Sequence, residues 1–349
     1  MLLAIDTSCD ETALAILDIK KVLAGEVLSE KLLVSEVVSS QIKLHEPYGG
    51  VVPELAAREH FNNLPILFEN ILSQAKIKKD DISTVAVTRG PGLNGCLLVG
   101  LCFAKAFAAM RKLQLLALNH VEGHIFSAEL MGKPLQYPAL ALVVSGGHTM
   151  LVFMKSFRRY EIIAKTRDDA AGEAFDKSAN LLGLGYPGGA ILSQRAALGN
   201  ALAYKLPVGL AGVNEAFSFS GLKTAVGRLV NSLAQSKENL SEQIINDVAA
   251  AVQQAIIKAL VDKTVAAMRR VRPRNLILVG GVAANQYLRI WLENEAREQK
   301  VEFIVPERRW CTDNASMIAS LAARVLLEGQ AGISDFYISA LPQWSILDI

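Results

Sequence analysis

The sequence predicts an α/β protein of two related lobes, and three observations carry that prediction. First, apolar runs at Leu2–Ile5 and Ala13–Leu17 flank the polar turn Thr7–Thr12, and the order recurs at Ala139–Val144, Ser145–Thr149 and Met150–Met154. Two short apolar runs across a polar turn read as a β-hairpin. Second, each half continues with a buried strand, a Gly-rich loop and a helix. These are Thr84–Thr88, Arg89–Gly95 and a helix to about Arg111, then Asn275–Val279, Gly280–Asn285 and a helix to about Gln299. Third, 349 residues suit two domains better than one. The break Met131-Gly132-Lys133-Pro134 places the first lobe at 1–130 and the second at 131–327, with about 328–349 expected to pack back on the first.

The remaining elements follow in order. A strand near Val34–Ser40 leads to the loop His45–Gly50. Pro53 suits a first helical turn and opens a helix to about Gln74, with Pro65 as an expected kink or break. Its stripe of Leu55, Ala56, Phe61, Leu64, Leu67, Phe68, Ile71 and Leu72 fits a core face or a partner helix. Cys96–Met110 contains Lys105 and is shorter than the ~20 residues of a membrane span, so it reads as a buried helix. A strand at Leu115–Leu118 runs into a helix carrying His120 and His124. In the second half a helix begins at Glu173, and Gly183–Gly189 is another Gly-rich loop before a helix. Phe217–Thr224 enters the next helix, and Ser241–Arg270 is amphipathic. Glu302–Val305 is the last strand, and Cys311–Asn314 precedes a helix to about Leu327 that Asp313 could simply cap.

The net charge of +2 gives no overall commitment to nucleic acid. Local basic stretches occur at Lys76–Lys79, Arg269–Arg274 and Arg308–Trp310, and such runs are more often solvated surface than binding sites. The four cysteines, Cys9, Cys96, Cys102 and Cys311, have no C-x-x-C spacing, which fits a reducing compartment and argues against a zinc ribbon. Asp6, Asp10 and Glu11 near the start exclude a secretory signal. A soluble cytoplasmic protein is expected.

His120 and His124 are two of five histidines. Four residues apart on a helix, they share one face and could share a metal, or form a buried pair satisfied by carbonyls. The zinc-protease pattern His-Glu-x-x-His is absent, because Glu122 stands second after His120 and points off that face. His45 and His60 have no ligand-spaced neighbour and read as structural. The turns at Thr7–Thr12 and Ser145–Thr149 could hold phosphate oxygens through backbone N–H groups, or be ordinary polar tips. His148 is either ligand-facing or a turn residue. The loops at Gly90 and Gly280 offer N–H groups at helix starts but match neither G-x-G-x-x-G nor a Walker A motif.

The duplicated order matches the two-lobed actin-like architecture of the ATPase, sugar-kinase and Hsp70 group: two related mixed-sheet domains with a nucleotide in the cleft between them. A finer resemblance rests on a series of short motifs: Ser8–Thr12, His45–Glu54, Gly90–Leu93, His120–His124, Val144–Thr149 and Ala174–Lys177. Tyr186–Gly189, Phe217–Lys223, Gly280–Asn285 and Cys311–Asn314 complete it. In this order, over nearly the whole chain, they resemble the bacterial tRNA adenosine threonylcarbamoyltransferases, a universal family once described as a glycoprotease.

The resemblance implies transfer of threonylcarbamoyl from threonylcarbamoyl-adenylate to N6 of adenosine 37 in tRNAs reading ANN codons, releasing AMP. It implies one divalent metal, iron or zinc, on His120, His124 and Asp313, with Asp313 reaching the histidines across the cleft. It places the adenylate along Val143, Val144, Ser145, Gly146 and Gly147, with Asp176, Gly189 and Asn285 completing the pocket. Asp10 and Glu11 would face the reacting end as catalytic carboxylates. Implied partners are tRNA, an inactive paralogous subunit docked near helix 53–74, a small P-loop ATPase and the synthase that supplies the adenylate. One departure is visible: Ala315-Ser316 follows Asn314 where the family has Gly-Ala, which predicts a slight packing difference. The rival readings are an ATP phosphotransferase on the same fold, a metallopeptidase and an inactive scaffold.

Overall fold

The computed structural model describes residues 1–212, 215–236, 240–330 and 336–349. They divide into two units, Met1–Leu135 with Pro306–Ile349, and Gln136–Val305. In the first unit β1 (Leu2–Asp6), β2 (Glu11–Leu17), β3 (Leu33–Ser40), β4 (Thr84–Gly90) and β5 (Gln114–Asn119) form a sheet ordered β3-β2-β1-β4-β5. β1, β2 and β3 pair antiparallel, and β4 and β5 join parallel to β1. The helices before the second unit are α1 (Ile19–Leu23), α2 (Ile42–His45), α3 (Pro53–Ala75), α4 (Asn94–Arg111) and α5 (His120–Phe126).

Side chains alternate along a strand, so β1 has two faces. Leu3 and Ile5 share a core with Leu14 and Ile16 of β2, Leu64, Phe68 and Ile71 of α3, and Leu101 and Phe107 of α4. Leu2, Ala4 and Asp6 therefore point to the opposite face. Pro65 does not break α3, which is continuous from Pro53 to Ala75. The lost backbone hydrogen bond is outweighed because Leu64, Phe68 and Ile71 on either side are buried against the sheet.

The second unit repeats the pattern. β6 (Ala139–Val144), β7 (Thr149–Ser156), β8 (Arg159–Thr166), β9 (Ala216–Phe217), β10 (Asn275–Val279) and β11 (Glu302–Ile304) are ordered β11-β10-β6-β7-β8-β9. β6, β7 and β8 pair antiparallel, while β10 joins parallel to β6 and β11 parallel to β10. Around this sheet the unit carries α6 (Ala171–Leu181), α7 (Gly188–Ala196), α8 (Ser220–Ser236), α9 (Glu242–Val271) and α10 (Gln286–Glu298). α4 and α9 are long and apolar enough to cross a membrane by composition, and each packs on other elements of its own unit.

The last helix, α11 (Ala315–Leu327), corrects the expected boundary. The sequence reading gave it to the second lobe, but the chain returns at Pro306 and α11 packs on β1, β2 and α5 of the first unit. Arg324 fixes it there with hydrogen bonds of 3.1 and 2.5 Å to buried Glu129. Beyond it, the described part of the expected C-terminal strap lies on the first unit, with Leu341 N donating to Arg89 O at 2.9 Å and Gly92 N to Pro342 O at 3.1 Å; residues 331–335 lie outside the described residues. The sequence departure at Ser316 leaves a mark, because its Oγ is buried without a hydrogen-bond partner. Ser316→Ala is expected to raise stability by about 1 kcal/mol, since it removes an unsatisfied hydroxyl at nearly constant volume. An unchanged or lower urea midpoint counts against this.

Candidate functional site

The metal candidates sit where β5 becomes α5. Asn119 ends the strand, and its side chain accepts from Val121 N at 2.9 Å and Glu122 N at 3.1 Å, which starts the helix at His120. One turn later comes His124, and the two ring centroids are 4.7 Å apart at 82°. Asp313 precedes α11, but it is not that helix's cap. Asn314 takes that role, accepting from Met317 N at 2.9 Å. Asp313 is left free to point at the histidines, with Oδ1 at 3.1 Å from His124 Nε2 and 3.5 Å from His120 Nε2. One ligand atom from each of the three residues lies within 4.8 Å of the others. All three belong to the first unit, so Asp313 does not reach the histidines from a second lobe as the sequence reading expected.

Asp6 is a residue that the sequence reading did not single out. It points to the α5 side of the sheet, and its Oδ2 lies 3.1 Å from His120 Nδ1. Ser8 N donates to Oδ1 at 2.8 Å and Thr88 Oγ1 to Oδ2 at 2.9 Å, so the carboxylate is fixed in place. Ser8 Oγ is also 3.0 Å from His120 Nδ1. Donation from Nδ1 to Asp6 leaves Nε2 as the atom that would turn to a metal once it gives up its proton, the usual arrangement behind a metal-bound histidine. The only sequence signal was an acidic residue at the end of a buried strand.

The electrostatics fit a cation. Burial alone would lower the His120 pKa, but Asp313 and Asp6 together hold it well above the usual imidazole range. Asp313 is held well below the carboxylate range by His120 and His124 despite its burial. Glu11 is pushed up to about 10 by burial and by the neighbouring charges of Asp313 and Asp10. The pocket thus carries more negative charge than its own histidines neutralise, and two imidazoles and a carboxylate suit iron or zinc. Burial and Asp10 push the Cys9 thiol pKa far up, and Cys9 is not among the residues that converge with His120, His124 and Asp313.

Glu11 gives a stability prediction for the metal-free protein. Its folded pKa, about 10, exceeds the unfolded value of about 4.3, so the folded state binds the extra proton between them. Its contribution is fully present below about pH 4.3 and is lost as pH rises toward 10. Glu11→Gln is expected to flatten the fall of the melting temperature across pH 6–9, and a wild-type slope in the variant would contradict this origin of the shift.

Asp10 and Glu11 sit on the β1–β2 turn, half-buried. The turn is pinned by His60, whose Nε2 lies 2.9 Å from Cys9 O and Nδ1 2.7 Å from Thr12 Oγ1. Gln41 N donates to Asp10 O at 3.0 Å, and His45 lies 3.2 Å from Gln41 Oε1. His45 and His60 are therefore structural supports of the turn.

The nucleotide candidates gather in the second unit at the carboxyl ends of β6 and β10. Val143 and Val144 are fully buried strand residues, so their side chains are core. The Ser145 N–H, expected to be free, donates to His148 O at 2.8 Å, and His148 N to Ser145 Oγ at 3.0 Å. Gly146 and Gly147 are exposed with open space where a Cβ would stand, and they remain the N–H donors of the turn. Asp176 Oδ1 accepts from Gly188 N and Gly189 N, both at 2.9 Å, and burial raises its pKa. Ser193 Oγ donates to Gly189 O at 2.9 Å and receives Asn285 Nδ2 at 2.9 Å. Asn285 also donates to Gln253 Oε1 at 2.7 Å and caps α10 at Leu288 N. Hydrogen bonds join Asp176, Gly189 and Asn285 through Ser193, but Asp176 and Asn285 spend them holding the loops. Ser193 and Gln253 had no signal in the sequence.

Comparison with known proteins agrees. The sequence model of the tRNA N6-adenosine threonylcarbamoyltransferase family matches residues 32–320. Proteins of that name from Caldicellulosiruptor saccharolyticus and Thermosipho melanesiensis are 45% and 43% identical, covering 99% of this chain and 98% and 100% of their own. Among solved structures, full-length HypF in a phosphate- and nucleotide-bound form aligns with TM-score 0.58 at 12% identity, over 93% of this chain and 55% of its own. The activator of 2-hydroxyisocaproyl-CoA dehydratase from Clostridium difficile with bound ADPNP aligns at TM-score 0.50 and 14% identity, over 96% and 99%. These structural likenesses support the actin-like fold read from the duplicated sequence.

Proposed function

This chain belongs to the tRNA N6-adenosine threonylcarbamoyltransferase family and is a transferase, and from that premise we propose that it moves threonylcarbamoyl from threonylcarbamoyl-adenylate to N6 of adenosine 37 in tRNAs reading ANN codons. The adenine amine attacks the carbamoyl carbonyl, a C–N bond forms, the C–O bond to the phosphate breaks, and AMP leaves as the amine loses a proton. The observation that carries this reading is the convergence of His120, His124 and Asp313 in a chain of this family.

An exocyclic adenine amine is a weak nucleophile, so the acyl carbon needs polarisation and the substrates need positioning. His120, His124 and Asp313 would hold iron or zinc, which when bound supplies Lewis-acid polarisation of the carbonyl and draws Glu11 into its ionised form. Asp6 keeps the His120 proton on Nδ1. Asp10 and Glu11 are the carboxylates we assign to accept the amine proton, on a turn that His60 holds still. Gly146 and Gly147 donate to the phosphate, Gly280 and Gly281 approach the nucleotide, and Asp176, Gly189 and Asn285 keep those loops in register. The nucleotides bound to the solved HypF and dehydratase-activator structures support a nucleotide on this fold.

The remaining partners belong to the same proposal. Phe61 and Ile66 project from α3 with 71% and 60% of their surface exposed, which suits docking of a paralogous subunit. A P-loop ATPase and an adenylate synthase complete the cycle in the cytoplasm. Incubating the protein with threonylcarbamoyl-adenylate, these helpers and unmodified tRNA, then reading nucleosides by mass spectrometry, tests the reading. Modified adenosine that disappears with His120→Ala supports it. No product from wild type, or undiminished product from the variant, sinks it. ATP turnover on a small hydroxylated substrate without RNA would favour a phosphotransferase instead.

A further inference from the structure

Of the three basic stretches in the sequence, two carry ion pairs. Lys79 Nζ lies 2.5 Å from Glu69 Oε1 and faces the Phe68 ring. Arg309 reaches Glu30 at 2.6 Å and Glu307 at 3.0 Å and stacks on Trp310. The third is different. Arg269, Arg270, Arg272 and Arg274 are exposed, and among the described residues none pairs with a carboxylate. Arg269, Arg272 and Lys300 line a cavity of about 470 Å³ together with Gln299 and the apolar Met268 and Pro273.

Basic residues at helix ends often serve only to cap carbonyls, and α9 and α10 both end here. That explanation fails on the hydrogen bonds. Backbone groups close those ends, with Arg272 N donating to Met268 O at 2.8 Å, Gln299 N to Glu295 O at 3.2 Å and Val301 N to Ala296 O at 2.9 Å. The side chains of Arg269, Arg270 and Arg272 bond to none of these carbonyls. The Gln299 Nε2 amide is buried without an acceptor. A concave site with unpaired positive charges on its wall has the chemistry of an anion site, and two guanidinium forks suit phosphate oxygens. No aromatic side chain lines it, so it offers nothing for base stacking and reads phosphate rather than sequence.

We propose that this cavity and its arginine ridge are a contact surface for the RNA backbone, with Arg269, Arg272 and Lys300 seating a phosphate. The proposal rests on the reading that RNA is the acceptor. It places one RNA contact in the second unit, on the end of α9.

The test is equilibrium binding of an unmodified tRNA transcript to the full-length protein across a salt series, with Arg269→Gln/Arg272→Gln, Arg269→Lys/Arg272→Lys and, as control, Lys79→Gln. Losing two phosphate contacts is expected to reduce the slope of log K against log salt by about 1.5 and to weaken binding by about 10-fold at 0.1 M salt. The lysine pair is expected to keep most of the slope, the control all of it, and melting temperatures to stay put because the side chains are exposed. A parallel arm measures inorganic phosphate binding. Wild-type RNA affinity and slope in the glutamine variant overturn the proposal, as does saturable phosphate binding at the cavity with RNA binding untouched. Both outcomes leave the transferase reading standing. A wild-type protein with no affinity for the transcript overturns the two together.

Discussion

Asp313→Ala is expected, on the proposed reading, to lower the rate of threonylcarbamoyl transfer by about 10³-fold or more and to abolish stoichiometric binding of a divalent metal. The carboxylate faces both Nε2 atoms, at 3.1 Å from His124 and 3.5 Å from His120, so its loss leaves the two imidazoles with no anionic partner on that side. Asp6→Asn should be milder, weakening metal binding about 10–100-fold, because the ligands remain while the hydrogen bond that sets the His120 tautomer is impaired. The pH dependence has a definite sign. His120 is held protonated well above the usual range, and a metal must displace that proton, so metal affinity should rise with pH until His120 is neutral. The alternative that Asp313 only starts a helix predicts a different pattern. Asn314 makes that cap, so Asn314→Ala should cost about 1 kcal/mol of stability and leave the three ligands in place. Metal content by mass spectrometry separates the two, and an Asp313→Ala protein that keeps stoichiometric metal would overturn the assignment.

The sequence showed what local pattern can show. Ala139–Val144 and Leu276–Val279 are unbroken apolar runs, and both lie in strands buried at every position. The repeated hairpins and strand–loop–helix units were legible because each is contiguous, and together they implied two similar sheets. What pattern could not show is where distant segments meet. α11 is buried along nearly its whole length, so its composition says that it is covered but not by which sheet. Only its packing on β1 and β2 moves it into the first unit. Asp6 was hidden for the same reason: the alternation of β1 turns it toward α5, 114 positions along the chain. Asp313 was a plausible cap by sequence, and only the backbone shows that Asn314 takes that role and leaves Asp313 to the histidines. Turn chemistry alone does not reveal that His148 O takes the Ser145 N–H.

The loops proposed to receive the nucleotide are held by contact between backbones, and Gly280→Ala should expose this. A Cβ at Gly280 would stand 2.3 Å from Val144 O and 2.7 Å from Val144 C, and φ there is +93°. Neither neighbour is a flexible side-chain end, and the backbone angle disfavours any L side chain. Strain and clash together should cost roughly 3–5 kcal/mol, large for a single methyl. The effect should extend to binding, because pushing β10 from β6 also moves Gly146 and Gly147, which follow Val144 after Ser145 alone. Two other glycines provide the contrast. Gly281→Ala meets open space and should leave stability within about 0.5 kcal/mol. Gly146→Ala also meets nothing within 4 Å, so it should melt like wild type yet bind the adenylate more weakly if its backbone approaches the phosphate. Urea denaturation with AMP-analogue titration reads both quantities. A Gly280→Ala protein as stable as wild type would mean that the strand ends can part without cost, and the close approach of these loops would then not be what shapes the site.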